Sequence, residues 1–229
     1  MSRLVEYADR ERQAQALAAL VAGQLEASLT RRGRATLALP GGTTPERFLK
    51  ALSGAGIDWP QVTVMPGDER FVPAESPRSN TGMLRRALLR GPAASARLLA
   101  LPAPAGSPEA AAGECAGAID AALPLDVLVL GMGADGHIAS LFPGADLLQR
   151  ALDPACPEPL LPIRAPAAGE PRLTLTAPVL LGARHRHILI AGADKLAALQ
   201  AARAPGPVAE MPVRLLLQAP DAVTIHYAE

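Results

Sequence analysis

Leu125-Asp-Val-Leu-Val-Leu-Gly-Met-Gly-Ala-Asp-Gly-His-Ile-Ala-Ser-Leu-Phe-Pro-Gly144 decides how the rest of the chain is read. Val127 to Leu130 is a short apolar run of strand formers, the length of one buried strand. Gly131, Gly133 and Gly136 follow it closely, and His137 comes immediately after them. Glycines at that density allow positive φ and a close approach of backbone to a bound group. They would hold His137 at the rim of a sheet, where open α/β sheets bind their ligands.

Outward from this stretch, short strands alternate with helices. Arg10 to Thr30 reads as an amphipathic helix through Ala14, Leu17, Val21, Leu25 and Leu29, closed by Arg31, Arg32 and Gly33. Strands are predicted at Thr36–Leu39, Gln61–Met65, Leu160–Ile163, Leu173–Thr176, His187–Ala191 and Val223–Tyr227. Helices are predicted at Glu46–Leu52, Thr81–Arg90, Ser107 to about Ala122, Ala177–Leu181 and Asp194–Arg203. Gly67 to Asn80 reads as a polar segment, Pro92 to Ser107 as a Pro- and Ala-rich connection, and Asp153 to Gly169 as a surface excursion around an edge strand. The alternation implies an α/β fold, a mostly parallel sheet with helices on both faces. With no repeat and no linker, residues 1–229 are expected to form a single domain.

Composition narrows the function. Apolar residues make up 49% of the 229 residues, enough for a sizeable core, and 22 basic residues offset 22 acidic ones. That balance argues against a nucleic-acid partner. No apolar stretch reaches membrane-spanning length, and Met1 to Arg12 lacks the apolar core of a signal peptide. Cys115 and Cys156 stand at no metal or redox spacing. A cytoplasmic location is expected, with no membrane partner.

Each chemistry-bearing stretch has two readings. Gly41-Gly42-Thr43-Thr44 between a strand and a helix can cradle a phosphate with backbone N–H groups, or serve as a tight turn in which Thr43 or Thr44 caps the helix. In Gly67-Asp68-Glu69-Arg70, Arg70 can fork onto a phosphate or carboxylate and Asp68 or Glu69 can orient a histidine; the alternative is a solvated turn. Ser79-Asn80 suits a helix cap. Lys195 can meet a phosphate or solvent, and Arg214 can line a pocket or cap a helix. His185 and His187 are spaced as a metal pair but lack a third ligand, so no metal site is expected. The three glycines also satisfy Gly-x-Gly-x-x-Gly, but Glu158, about twenty positions on, falls in a proline-rich stretch, and His137-Ile-Ala-Ser stands where a long helix should begin. A dinucleotide site is therefore disfavoured. Asp135 is read as fixing the loop's shape. An imidazole can accept a proton from water at neutral pH, so His137 suits a general base.

Taken together, Leu39-Pro-Gly-Gly-Thr-Thr-Pro45, Gly67-Asp-Glu-Arg-Phe-Val-Pro73 with Ser79-Asn80, Leu130 to Gly144, and Arg172-Leu-Thr-Leu-Thr176 continuing to Gly192-Ala-Asp-Lys195 resemble the 6-phosphogluconolactonases. The segments come in that family's order and span nearly the whole chain. The resemblance implies the fold shared with glucosamine-6-phosphate deaminase and ribose-5-phosphate isomerase. It also implies hydrolysis of 6-phospho-D-glucono-1,5-lactone in the oxidative pentose phosphate pathway. By that likeness His137 is the general base, with Asp68 and Arg70 in the active site. Gly41, Gly42, Thr43, Thr44, Arg70 and Lys195 are then phosphate contacts, with Asn80 and Gly133 as further substrate-binding candidates.

Two departures stand out: Ile138 replaces a usual threonine, and Pro-Gly-Gly-Thr replaces Ser-Gly-Gly-Ser. The implied partner is a small phosphorylated sugar lactone, handled by a monomer or small homo-oligomer without metal or cofactor. An amino-sugar phosphate isomerase or deaminase, and a non-catalytic sugar-phosphate sensor, are the rival readings. The first is disfavoured because Asp68-Glu69 is followed by Arg70 and because Gly-His runs into Ile-Ala-Ser, with no acidic residue following as a partner for the histidine.

Overall fold

The computed structural model describes residues 2–101 and 106–229. In chain order the elements are β1 (Arg3–Glu6), α1 (Arg10–Arg32), β2 (Ala35–Leu39), α2 (Glu46–Ser53), β3 (Val62–Pro66), β4 (Asp68–Arg70), α3 (Asn80–Ala87), β5 (Arg97–Leu98) and α4 (Pro108–Ala122). They continue with β6 (Val127–Leu130), α5 (Leu148–Leu152), β7 (Leu160–Ile163), β8 (Arg172–Leu175), α6 (Ala177–Leu181), β9 (His185–Ala191), α7 (Ala193–Arg203), α8 (Arg214–Leu217) and β10 (Thr224–Ala228). Seven strands form one parallel sheet in the order β1-β10-β9-β6-β2-β3-β5, and β4-β8-β7 form a small antiparallel sheet.

Alternation along each strand feeds two cores. Leu37 and Leu39 of β2, Val62 and Val64 of β3, and Val127 and Val129 of β6 face one side, under Leu17, Val21 and Leu25 of α1 and Phe48, Leu49 and Leu52 of α2. Ala38, Met65, Leu128, Leu130, Ile188 and Ile190 face the other, with α4 and Leu199 of α7. Because both faces are covered, the strands read as unbroken apolar runs. Each fully buried leucine contributes about 1.5–3 kcal/mol. Capping sets the length of α1: the Asp9 carboxylate accepts from Arg12 N at 2.7 Å, and Gly33, at φ 67°, donates its N–H to the Leu29 carbonyl.

The topology makes a crevice. From β2 the chain moves outward to β3 and β5, then returns to the other side of β2 as β6. After β2 it enters α2 on one face, whereas after β6 Ile138 and Leu141 pack on the opposite face. The C-terminal ends of β2 and β6 therefore part, as ligand sites in open α/β sheets require.

Several expectations change. The charged N-terminus supplies an edge strand, β1, paired with β10. The polar segment from Gly67 contains β4, whose Asp-Glu-Arg has no strand signature of its own; pairing with β8 in the register Asp68↔Thr174, Glu69↔Leu173, Arg70↔Arg172 holds it extended. The third helix spans Asn80–Ala87, shorter than predicted. The Pro92–Ser107 connection includes β5, and its residues 102–105 lie outside those described. Short helices α5 and α8 were not anticipated. Among the described residues no helix is long and apolar enough to cross a membrane.

Candidate active site

A cavity of about 300 Å³ opens at the ends of β2, β6 and β9. Its lining includes His137, Asp68, Arg70, Gly41, Gly42, Thr43, Thr44, Asn80, Gly133 and Lys195, so the residues singled out from the sequence converge on one space. Arg172 and Ala139 line it as well.

The glycine loop after β6 shapes the histidine. His137 Nδ1 lies 2.6 Å from Asp135 Oδ1, and the same oxygen accepts from the His137 backbone N–H at 3.1 Å. A side chain at position 133 would collide with both the imidazole and the Asp135 carboxylate, so only glycine lets this pair close. Gly133 N also donates to the His137 carbonyl at 2.9 Å. Burial pushes the Asp135 carboxyl up, but the adjacent His137 charge and N–H groups outweigh it, and the net shift is downward. A carboxylate on Nδ1 fixes the tautomer that leaves Nε2 as the basic nitrogen. The His137 ring lies against Phe142, centroids 4.0 Å apart. Two residues further on, Ala139 sits at φ 49°, a left-handed conformation unusual for a residue with a Cβ and typical of stored strain at functional loops.

Asp135, not Asp68 or Glu69, is therefore the carboxylate that orients His137. The rival isomerase reading was disfavoured for want of such a partner after the histidine; the partner exists two positions before it. Asp68 is buried, accepting from Ser140 Oγ at 2.5 Å and Asn80 Nδ2 at 3.2 Å. Glu69 is turned away to the start of α3, where it accepts from Asn80 N at 2.8 Å, Thr81 N at 2.7 Å and Ser79 Oγ at 3.1 Å. Ser79 itself caps α3 by accepting from Gly82 N at 3.0 Å. Asn80 instead donates to the Asp68 carbonyl at 2.7 Å and packs so close to Gly41 that a Cβ there would overlap its amide.

In the Gly41–Thr44 loop the capping reading fails. The residue preceding α2 is Pro45, no side chain caps the helix, and Glu46 N bonds only the Thr43 carbonyl, at 3.3 Å. The threonine hydroxyls are left to the exposed loop. Lys195 stands in the first turn of α7, its Nζ 3.9 Å from Asp194. Arg214 caps the far end of that helix, donating to the carbonyls of Ala202 at 3.2 Å and Pro207 at 3.0 Å, and does not line the cavity. His187 is buried and His185 exposed, and no group of three or more potential metal ligands occurs among the described residues.

Sequence reasoning quoted Arg172 without giving it a role. Its signal was the alternation Arg172-Leu-Thr174, which puts Arg172 and Thr174 on one face of β8 beside Arg70 and Asp68 of β4. The Arg172 side chain is only 11% exposed, with Nη1 3.9 Å from Asp68 and Nη2 3.6 Å from Glu170.

A parallel α/β sheet whose switch-point crevice holds a carboxylate-oriented histidine beside a glycine turn is the architecture these observations define. The chain belongs to the glucosamine-6-phosphate isomerases/6-phosphogluconolactonase family, whose model matches residues 8–225. It is 47% identical over 224 residues to a 6-phosphogluconolactonase of Mesorhizobium japonicum, covering 97% of this chain and 93% of that protein. The crystal structure of a 6-phosphogluconolactonase from Shewanella baltica superposes with a TM-score of 0.96 at 31% identity, over 100% of this chain and 98% of the other. A monomeric glucosamine-6-phosphate deaminase shares the fold, with a TM-score of 0.77 at 18% identity over 99% and 97% of the two chains.

Proposed function

We propose that this chain hydrolyses 6-phospho-D-glucono-1,5-lactone to 6-phospho-D-gluconate, with His137 as general base. The observation that carries the reading is the Asp135–His137 pair, Nδ1 to Oδ1 at 2.6 Å, opening on the same cavity as the Gly41–Thr44 turn and Lys195. The family relationship supports the substrate class.

Asp135 holds the Nδ1 proton, so Nε2 takes a proton from a water as that water's oxygen bonds to lactone C1. The carbonyl π electrons move onto oxygen, and this tetrahedral oxyanion needs donors already in place. On collapse the ring C1–O5 bond breaks and O5 takes the proton back from the imidazolium. The new acid then loses its own proton to solvent. Thr43, Thr44, the loop N–H groups and Lys195 anchor the remote phosphate, so that binding energy far from C1 aligns C1 with the water. Arg70 is the cation within reach of either task. Asp68 holds Ser140 and Asn80 in place around the cavity. The reaction consumes water alone and needs no group beyond the chain's own residues, and we assign it to a small soluble metabolite with neither nucleic acid nor membrane involved.

Proton release with fresh phosphorylated lactone, against the unphosphorylated lactone, tests this. Turnover at least about 100-fold faster with the phosphorylated ring is expected. Equal rates, or ammonia released from glucosamine 6-phosphate, would overturn the assignment.

A further inference from the structure

Arg70 and Arg172 face each other directly across the β4–β8 pair. Like charges in that position repel unless an anion lies between them. Among the described carboxylates, Asp68 and Glu170 supply it only in part, at 3.9 and 3.6 Å from Arg172, and none pairs with Arg70. Both Asp68 oxygens are already engaged by Ser140 and Asn80, and Glu69 is spent on α3. Glu170 reaches Arg172 from one side at 3.6 Å but forms its closer pair, at 2.7 Å, with Arg78. Arg70 Nη1 donates only to the Arg78 carbonyl, at 2.5 Å. The Nε atoms of Arg70 and Arg172 are both buried without a partner, and both residues line the cavity.

Arg172 also lies at the base end of the site. Its Cζ stands 5.6 Å from the centroid of the Phe142 ring, the ring against which His137 packs. Thr43, Thr44 and Lys195 belong instead to the turns following β2 and β9. Burial lowers the Arg172 pKa and the facing Arg70 lowers it further, outweighing Asp68 and Glu170, which raise it: a desolvated cation set beside another cation.

We infer that Arg172, paired with Arg70, binds the oxyanion at C1 and the carboxylate it becomes, leaving the phosphate to the Thr43–Thr44 turn and Lys195. The inference rests on the lactonase reading and adds a catalytic residue to it. Two arginines can fork onto both oxygens of a carboxylate, a geometry that one lysine cannot supply. The site is then a two-anion site, matched to a product that carries a phosphate at one end and a carboxylate at the other.

The test uses Arg172→Gln and Arg172→Lys in the full chain, with two readouts. Initial rates with the phosphorylated lactone should show kcat falling about 100-fold in Arg172→Gln while KM moves less than about threefold. Arg172→Lys should recover part of the loss. Calorimetric titration should show 6-phosphogluconate binding weakened tenfold or more, with binding of glucose 6-phosphate, which has the phosphate but no carboxylate, unchanged. Equal weakening of both ligands would assign the clamp to the phosphate and overturn the inference, as would unchanged kcat. If the variants do not fold, the wild type still decides: binding glucose 6-phosphate as tightly as 6-phosphogluconate rules the carboxylate clamp out. Absence of wild-type lactone turnover would strike the lactonase reading itself, and the titrations judge the clamp separately.

Discussion

His137 and the His187–His226 pair put the same side chain in opposite electrostatic surroundings. His137 has an anion on one nitrogen and an open cavity at the other. His187 and His226 lie buried between α1 and strands β9 and β10, in a closed chain of neutral partners. Gln24 Oε1 is 2.9 Å from His187 Nε2, His187 Nδ1 is 3.1 Å from His226 Nε2, and His226 Nδ1 is 2.8 Å from the Tyr7 hydroxyl. The Gln24 oxygen only accepts, so each ring donates once and accepts once, and the Tyr7 O–H closes the series. A further proton on His187 Nδ1 would face the His226 Nε2–H, donor against donor, and one on His226 Nδ1 would force the Tyr7 hydroxyl to turn from donor to acceptor. One site is arranged to exchange a proton, the other to refuse one.

The largest effect should come from removing the exchanging ring. His137→Ala is expected to lower kcat about 10²- to 10⁴-fold while 6-phosphogluconate still binds, and His187→Gln should leave kcat within about threefold of wild type. Steady-state rates for the two variants side by side test the contrast. If His187→Gln lost as much turnover as His137→Ala, the two histidines would not be functionally distinct.

The refusing pair should instead govern acid stability. Burial first, then the neighbouring His226 and His185, hold the His187 pKa to about 3, and burial first, then Arg3, holds His226 to about 4. In the unfolded chain both return to roughly 6.5. Between those limits the unfolded chain binds more protons, so stability is whole above about pH 6.5 and declines as pH falls toward 4. The slope is about 1.4 kcal/mol per pH unit for each ring. Urea midpoints at pH 7 and pH 5 should differ clearly for wild type and much less for a His187→Gln, His226→Gln double variant. An identical drop in both proteins would mean that carboxylates, not this pair, set the acid limit.

What the sequence made legible follows the same division between local and distant causes. Val127–Leu130, the start of α4 at Ser107-Pro108 and the Gly33 close of α1 were readable because the determinants sit within a few residues of the element. The crevice was readable too, since glycine turns after strands mark the rim of a parallel sheet. The role of Glu69 was not, because its partners belong to a helix that begins eleven positions later. Arg172 acquires meaning only from Arg70, about a hundred residues earlier and brought opposite it by an antiparallel strand too polar to be recognised. His187 looked like half of a metal pair with His185, yet its actual partners, Gln24 and His226, come from a helix near the start of the chain and the last strand. Asp135 was noticed, but hydrogen bonds to its own loop and to the imidazole use the same oxygen, and sequence alone cannot say which governs.

That double use makes Asp135→Asn the finest test of the contrast. The amide keeps the size of the side chain, and its oxygen can still accept from the His137 backbone N–H, so the loop should hold. It removes the charge that separates His137 from the neutral-partnered pair. The amide's N–H₂ group can also meet Nδ1 as a donor, favouring the tautomer with the proton on Nε2, where the water must be activated. The expected result is a kcat lowered about tenfold, roughly 1.4 kcal/mol of barrier, with an unchanged thermal midpoint. The Asp135 side chain is 42% exposed, so water shares in solvating the ring and the loss should stay well short of that in His137→Ala. Full wild-type turnover in Asp135→Asn would show that a neutral partner serves as well as a charged one, and the difference between the two histidine environments would then lie in access to the cavity alone.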